Sequence, residues 1–153
     1  MNRNLTILIA EDDEDYALIV EAAIKSSGWI NPVRILPNGQ EVIKYLSGEG
    51  EYADRTANPF PSVMFLDAKM PGATGFDVLR WTREHPECSV QPTLMLSSSD
   101  DPKDVKLAYE LGVHGYFVKP AKLSDLKNML QAIYGFCTWS LKPTMSGGTS
   151  ASQ

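Results

Sequence analysis

The chain has 153 residues, of which 43% are hydrophobic and 22% charged, and its formal net charge is −5. This length predicts a single domain with an ordinary hydrophobic core. Nineteen acidic against fourteen basic residues, with no run of Lys and Arg, argue against nucleic acid as a partner. No apolar run approaches the roughly 18 residues of a membrane span, and the polar start is too short for a signal peptide, so we expect a cytoplasmic protein without membrane contact. Cys88 and Cys137 lie far apart, and we expect both to be reduced.

Short apolar runs alternate with stretches of helical periodicity along the chain. The apolar runs predict strands at residues 5–10, 33–36, 62–66, 93–96 and 116–118. The helical stretches lie at residues 14–27, 40–47, 76–85, 102–111 and 123–139. Five βα units in series predict an α/β domain with a parallel sheet between two layers of helices. A Gly/Pro/Asn-rich loop covers 48–61, and the composition of 143–153 predicts a disordered tail after a folded domain of residues 1–142.

Polar side chains follow four of the five predicted strands. Glu11 and Asp12 follow the first strand, Asp67 the third, Ser97 the fourth and Lys119 the fifth. Because the carboxyl ends of parallel strands form one edge of the sheet, we expect these side chains to meet there. Crowded carboxylates favour a hard divalent cation such as Mg2+, and an aspartate can attack phosphorus. An ammonium and a hydroxyl can bind the phosphoryl group that is transferred.

Three segments resemble the signatures of response-regulator receiver domains. They read ILIAEDD at 7–13, FLDAKMPG at 65–72 and YFVKP at 116–120, and the intervals between Asp67, Ser97 and Lys119 match as well. The resemblance covers residues 5 to about 140. It implies a stand-alone, CheY-like receiver domain with a flavodoxin-like, doubly wound five-stranded parallel sheet in the strand order 2-1-3-4-5. The long 48–61 loop and the aromatic chain ending resemble the receivers that partner bacteriophytochrome kinases.

The resemblance assigns a role to each matching residue of the pocket. Asp67 is the phosphoacceptor, and Lys119 contacts the phosphoryl group. The expected cofactor is Mg2+, for which Mn2+ can substitute, held by Glu11, Asp12, Asp67 and the backbone carbonyl of Lys69.

The resemblance also implies a switch and two tuning positions. Ser97 turns toward the phosphoryl group, and Tyr116 swings inward as a consequence. Lys69 and Ser99 flank the pocket and are expected to tune the lifetime of the phosphorylated state. For Lys69 the alternative is an ordinary solvated lysine.

Three local conformations are expected near these residues. The resemblance implies a cis peptide between Lys119 and Pro120 and a positive φ at Gly75. Ser99 or Asp100 is expected to cap the helix at 102–111.

The implied function is that of a two-component response regulator, which is a phosphoacceptor switch rather than an enzyme with a separate substrate. It would receive phosphate from a sensor histidine kinase or a phosphotransfer protein, catalyse its own phosphotransfer, and lose the phosphate slowly. Too few residues follow Lys119 for a helix-turn-helix, so we expect signalling by protein contact without a DNA-binding output domain.

Three alternatives remain open at this point. A haloacid-dehalogenase-type phosphohydrolase would need a second aspartate two residues after its nucleophile, where this chain has Lys69. A degenerate receiver would serve only as a binding module. The acids at 11–13 could also be a helix N-terminal cluster that complements the macrodipole.

The last helix carries two apolar stripes. The first should pack on the sheet and consists of Leu123, Leu126, Leu130, Ile133 and Cys137. The second lies roughly 110° around the helix and consists of Met129, Ala132, Phe136 and Trp139. We expect the second stripe to form a homodimer through the last strands and helices, or a kinase or target surface. The alternative is that Phe136 and Trp139 fold back onto the protein itself.

Overall fold

A computed structural model describes residues 6–89 and 91–139 of the chain. It contains one five-stranded parallel sheet in the order β2-β1-β3-β4-β5, as the resemblance implied. The strands are β1 (Thr6–Ala10), β2 (Val33–Leu36), β3 (Pro61–Leu66), β4 (Thr93–Ser97) and β5 (Gly115–Val118). The α-helices are α1 (Glu14–Ser26), α2 (Gly39–Ser47), α3 (Gly75–Glu84), α4 (Pro102–Glu110) and α5 (Leu123–Trp139). The predicted tail at 143–153 lies outside the described residues.

The sheet is buried on both faces because its strands send alternate side chains to two helical layers. Leu8 and Leu66 belong to the core that α2, α3 and α4 cover. Ile7, Ile9 and Phe65 belong to the core that α1 and α5 cover. Parallel strands that are buried on both sides carry continuous apolar runs, which is why all residues of β1 and β3 are buried.

The strand register places the ends of β1 and β3 side by side. Ala10 is paired with Leu66, and the Asp67 N–H donates to the Ala10 carbonyl at 3.0 Å. At the other side of the sheet, the Lys119 N–H donates to the Ser97 carbonyl at 2.7 Å. The backbone ladder therefore continues one residue beyond the strands and holds the predicted site residues at one edge.

The caps of the helices differ in one case from the prediction. Asp101 caps α4 by accepting a hydrogen bond from the Lys103 N–H, so the prediction of Ser99 or Asp100 was wrong. Ser99 instead donates its hydroxyl to Asp104 Oδ2 at 2.7 Å and accepts from the Asp101 N–H. Asp101 directly precedes α4, so its side chain is better placed than those of Ser99 and Asp100 to reach the free N–H groups of the first turn.

The loop after Asp67 corrects two further expectations. Gly72 has the positive φ, 72°, whereas Gly75 has none. A Cβ at Gly75 would lie only 2.3 Å from the Asp67 carbonyl oxygen, so glycine is needed there for a close backbone approach. The described parts of the chain contain no cis peptide bond, so Lys119–Pro120 is trans, the more stable isomer of such bonds.

Helix α5 buries most of its first stripe and exposes the end of its second. Leu126, Leu130, Ile133 and Cys137 are buried, but Leu123 is 58% exposed because α5 first meets the core at Leu126. Phe136 is 58% and Trp139 is 87% exposed, so the alternative that they fold back onto the protein was wrong. Cys88 and Cys137 are buried and form no disulfide in the described part of the chain, in agreement with the prediction that they are reduced.

The long loop between α2 and β3 is held by two arginines. It contains a short 3-10 helix, Gly50–Tyr52. Arg55 donates to the carbonyls of Leu46 and Asn58, and its guanidinium lies 5.8 Å from the centre of the Tyr45 ring. Arg34 donates to Asn58 Oδ1 at 3.0 Å and also lies over Tyr45. We call Arg34, Tyr45, Arg55 and Asn58 the arginine clamp.

No helix in the described ranges is long and apolar enough to span a bilayer.

Candidate functional site

Three carboxylates meet at the carboxyl edge of the sheet. Glu11 and Asp12 follow β1, Asp67 follows β3, and one oxygen from each of the three lies within 4.8 Å of the others. Glu11 and Asp67 are only 5% and 7% exposed, whereas Asp12 faces solvent. The register of β1 and β3 brings these residues together, since Asp67 extends the ladder beside Glu11. Oxygen donors grouped in this way suit a hard divalent cation.

A lysine from the far side of the sheet bridges the two buried carboxylates. Lys119 Nζ lies 2.7 Å from Glu11 Oε1 and 3.3 Å from Asp67 Oδ2. Burial by itself would lower the pKa of Lys119, but the hydrogen bonds and charges of Glu11 and Asp67 outweigh it and raise that pKa. Lys119 is therefore a fixed ammonium, positioned on the oxygen of Asp67.

The pocket holds more negative charge than this ammonium balances. The pKa of Glu11 is raised to about 7, chiefly by burial and in addition by neighbouring Asp67, while the hydrogen bond from Lys119 opposes the change. The second Glu11 oxygen accepts a hydrogen bond from the Asp13 N–H at 3.2 Å. Three carboxylates beside one ammonium leave an excess that a bound cation would neutralise.

Hydrogen bonds connect the predicted switch residues through the loop after β4. The buried Ser97 hydroxyl accepts from the Ser99 N–H at 3.1 Å. Tyr116 is half-buried and donates its hydroxyl to the Ser99 carbonyl at 2.8 Å. Lys69, in the loop after β3, is exposed, and its N–H donates to Asp67 Oδ1 at 3.2 Å. The structure thus brings Glu11, Asp12, Asp67 and Lys119 into one pocket, and links Ser97, Ser99 and Tyr116 beside it.

Two features of the β1–α1 segment add to the sequence-based picture. Asp13 is the N-cap of α1, accepting from the N–H groups of Asp15 and Tyr16, so the helix-terminal interpretation holds for this one acid. Tyr16 was missed: its ring centre lies 4.5 Å from Lys119 Nζ. The position of Tyr16 in the first turn of α1 could have indicated this contact. Side chains of a helix point toward its N-terminus, and the N-terminus of α1 lies at the pocket.

The chain matches a known protein family over most of its length. Residues 7–131 match the family described as response regulator receiver domain. The chain belongs to this family. It is a switch protein of two-component signal transduction, and the receiver domain binds histidine kinases or phosphotransfer proteins.

Individual relatives agree with this assignment. The chain is 32% identical over 130 residues to the response regulator Rcp1 of Synechocystis sp., covering 85% of this chain and 86% of Rcp1. The Mn2+-bound structure of Rcp1 superposes with a TM-score of 0.80 at 30% identity, covering 92% of this chain and 99% of the other.

Two further solved structures superpose as well. The phosphorylated cyanobacterial phytochrome response regulator RcpA gives a TM-score of 0.83, and the response regulator in red light signaling of R. palustris gives 0.85. Each is 28% identical, and each comparison covers 92% of this chain and 99% of the other.

Proposed function

We propose that Asp67 is the phosphoacceptor of this receiver domain and takes a phosphoryl group from the phosphohistidine of a kinase or phosphotransfer protein. The observation that carries the proposal is the position of the Lys119 ammonium, which forms ion pairs with Asp67 Oδ2 at 3.3 Å and with Glu11 Oε1 at 2.7 Å. A fixed ammonium next to the attacking carboxylate stabilises the charge on the equatorial oxygens of the transferring group.

The transfer follows from the chemistry of the carboxylate. One Asp67 oxygen forms a bond to phosphorus while the bond from phosphorus to the donor imidazole nitrogen breaks. The electron pair of the broken bond leaves with the imidazole, which takes up a proton from solvent. With acetyl phosphate as the donor, acetate leaves instead. Lys119 stays with the phosphoryl oxygens throughout, and the product is an aspartyl phosphate.

Mg2+ fits the donor set of the pocket. The ligands would be the side chains of Glu11, Asp12 and Asp67 with the backbone carbonyl of Lys69, and Mn2+ would fit the same oxygens. The support is the excess of carboxylate over ammonium, and a Mn2+-bound structure exists for Rcp1. When bound, the metal supplies neutralising charge for the phosphoryl oxygens.

Ser97, Ser99 and Tyr116 form the element that would respond to phosphorylation. A phosphoryl group adds about −1.5 to −2 charges, to which the Ser97 hydroxyl can donate. Ser97 now accepts from the Ser99 N–H, so turning it would disturb the loop that Tyr116 holds through the Ser99 carbonyl. We propose that phosphorylation shifts the population between two arrangements of this loop.

Lys69 and Ser99 would set how long the phosphate stays. The exposed Lys69 follows Asp67 by two residues, so its ammonium can pair with a phosphoryl oxygen and obstruct an attacking water. Slow self-catalysed dephosphorylation belongs to the same proposal. Lys69→Ala is expected to change the dephosphorylation rate by more than twofold, and a smaller change would reduce Lys69 to a solvated lysine.

The partners are proposed from the exposed surface and from the relatives. Phe136 and Trp139 remain exposed on α5, which supports a homodimer through the last strands and helices. The similar protein RcpA is a phytochrome response regulator, which supports a phytochrome-type kinase in the cytoplasm as the phosphate donor of this chain. Sedimentation with and without beryllofluoride tests the dimer: a monomer in both states, with Trp139→Ala unchanged in mass and kinase binding, would reject it.

The decisive experiment measures phosphate on intact protein by mass spectrometry after treatment with acetyl phosphate. We expect phosphate on the wild type with Mg2+ or Mn2+, and none in excess chelator or on Asp67→Asn. Asp125→Asn, which changes an exposed aspartate of α5, is the matched control and should be phosphorylated normally. Wild-type phosphate levels on Asp67→Asn would remove Asp67 as the acceptor, and a degenerate binding module would take up no phosphate at all.

A further inference from the structure

Tyr16 lies against the pocket from the side of α1. Its ring centre is 4.5 Å from Lys119 Nζ, the separation of a cation–π contact. The ammonium is therefore enclosed on three sides, by the Glu11 carboxylate at 2.7 Å, the Asp67 carboxylate at 3.3 Å and the Tyr16 ring. The capping of α1 by Asp13 fixes this arrangement, because the Tyr16 N–H is one of the two groups that Asp13 binds.

Tyr16 packs against the core that α1 and α5 cover, and its ring also faces the pocket through Lys119. The exposed neighbours Leu18 and Ile19 show that α1 does not bury every large side chain of this turn. The Tyr16 hydroxyl is buried, yet it has no hydrogen-bond partner among the residues that the structure describes. Burial raises the pKa of Tyr16, so the hydroxyl stays neutral next to the carboxylates.

We propose that Tyr16 is a positioning residue for phosphoryl transfer, whose ring holds the Lys119 ammonium at the phosphoacceptor Asp67. The inference rests on the proposed function of Asp67 and goes beyond it by naming how Lys119 is kept in place. Lysine has a flexible stem and a strongly hydrated ammonium, so its position depends on what surrounds the charge.

The ring differs in kind from the other two neighbours of Lys119. Glu11 and Asp67 are also the oxygen donors that suit a divalent cation, which would compete with Lys119 for them. An aromatic face offers nothing to a hard cation of this type but attracts an ammonium. Tyr16 can therefore retain Lys119 in the pocket while the carboxylates serve the metal.

The test compares Tyr16→Leu with Tyr16→Phe in the full chain. Tyr16→Leu removes the aromatic face, and we expect phosphorylation by acetyl phosphate to slow on the order of three- to tenfold, in line with the loss of a partly buried cation–π contact. Tyr16→Phe keeps the face and should restore the rate. In a Lys119→Ala background, Tyr16→Leu should have no further effect, because the ring would have no ammonium to hold.

A second measurement reports on the contact without phosphorylation. In the metal-free wild type, the Tyr16 ring should shift the NMR resonances of the Lys119 ε-methylene protons, and the shift should persist when Mg2+ is added. Tyr16→Leu should abolish the shift and Tyr16→Phe should keep it. Leu18→Ala, an exposed residue of the same helix, is the control and should alter neither the rate nor the resonances.

The outcomes separate this inference from the proposed function. A wild-type protein that takes up no phosphate would overturn both. Two results would overturn the role of Tyr16 alone in a wild type that is phosphorylated. One is a Tyr16→Leu protein that is phosphorylated as fast as the wild type, and the other is a Tyr16→Leu protein whose Lys119 resonances are unchanged. A rate in Tyr16→Phe as low as in Tyr16→Leu would overturn it too, since the hydroxyl rather than the ring would then be responsible.

Discussion

The carboxylate pocket and the arginine clamp are two polar regions of the same domain, and they satisfy their charges in opposite ways. In the clamp, both guanidinium groups donate mainly to carbonyl oxygens, such as those of Leu46, Ala57 and Asn58. In the pocket, one ammonium serves Glu11 and Asp67, with Asp12 close by. The first region therefore ties a loop to the domain, whereas the second keeps like charges close together.

The difference separates a structural polar cluster from a functional one. Buried polar groups that find neutral partners stabilise the fold and need nothing more. Buried carboxylates in excess destabilise the protein until a cation or a new bond relieves them. The pKa of Glu11 is raised to about 7, first by burial and then by neighbouring Asp67. Substitutions should therefore act differently in the two regions.

The largest effect on stability is expected in the clamp. Arg55→Ala removes the donor to the Asn58 carbonyl, leaves the Leu46 carbonyl with the weaker Cys88 thiol as donor, and removes the contact with the Tyr45 ring. It should lower the free energy of unfolding by about 3 kcal/mol. Urea denaturation measures it, with the exposed Lys44→Ala as a control expected within about 0.5 kcal/mol. A loss in Arg55→Ala as small as that of the control would mean that the clamp is not structural.

A substitution next to the backbone of Asp67 should affect both stability and phosphorylation. The Cβ of Gly75→Ala would meet the Asp67 carbonyl oxygen at 2.3 Å, so the backbone of the acceptor must shift. We expect a loss of about 2 kcal/mol and slower phosphorylation by acetyl phosphate. Gly135→Ala is the matched control, because its Cβ would meet nothing within 4 Å, and a helical alanine should stabilise by about 0.5–1 kcal/mol. Normal phosphorylation of a folded Gly75→Ala protein would show that the acceptor loop tolerates the shift.

Mg2+ should stabilise the pocket and leave the clamp unaffected. At ten times its dissociation constant, a ligand that binds only the folded state adds about 1.4 kcal/mol. Addition of Mg2+ should raise the unfolding temperature of the wild type and of Arg55→Ala. It should not raise that of Asp12→Asn, which lacks an exposed carboxylate of the cluster. An equal shift in Asp12→Asn would place the cation elsewhere.

The smallest expected effect on the free energy of unfolding is that of Asp67→Asn, and it is a gain where Arg55→Ala causes a loss. In chelator, Asp67→Asn removes one of the two buried like charges while the pair of Lys119 with Glu11 remains, so stability should rise by about 0.5–1 kcal/mol. Lys119→Ala should do the reverse, since it leaves two buried carboxylates without an ammonium. A destabilised Asp67→Asn protein would mean that the pocket resembles the clamp after all.

Local patterns were sufficient to predict the elements and most of the pocket. Each predicted strand and helix is present, with ends within two residues, because apolar runs and helical periodicity reflect which side chains a strand or helix can bury. Glu11, Asp67 and Lys119 could be expected in one pocket because parallel strands share a carboxyl edge.

What the sequence by itself determined is therefore the α/β class, the elements and the acidic pocket, since these depend on local pattern and on one rule of topology. Only the tertiary structure decided that a Cβ at position 75 would collide with the Asp67 backbone, that Asp101 caps α4, and that Leu123 remains exposed. The same holds for the Tyr16 ring against Lys119 and for the Arg55 clamp. These features are contacts between segments distant in the chain or choices among adjacent residues, and they depend on distances of a few ångströms that no periodicity records.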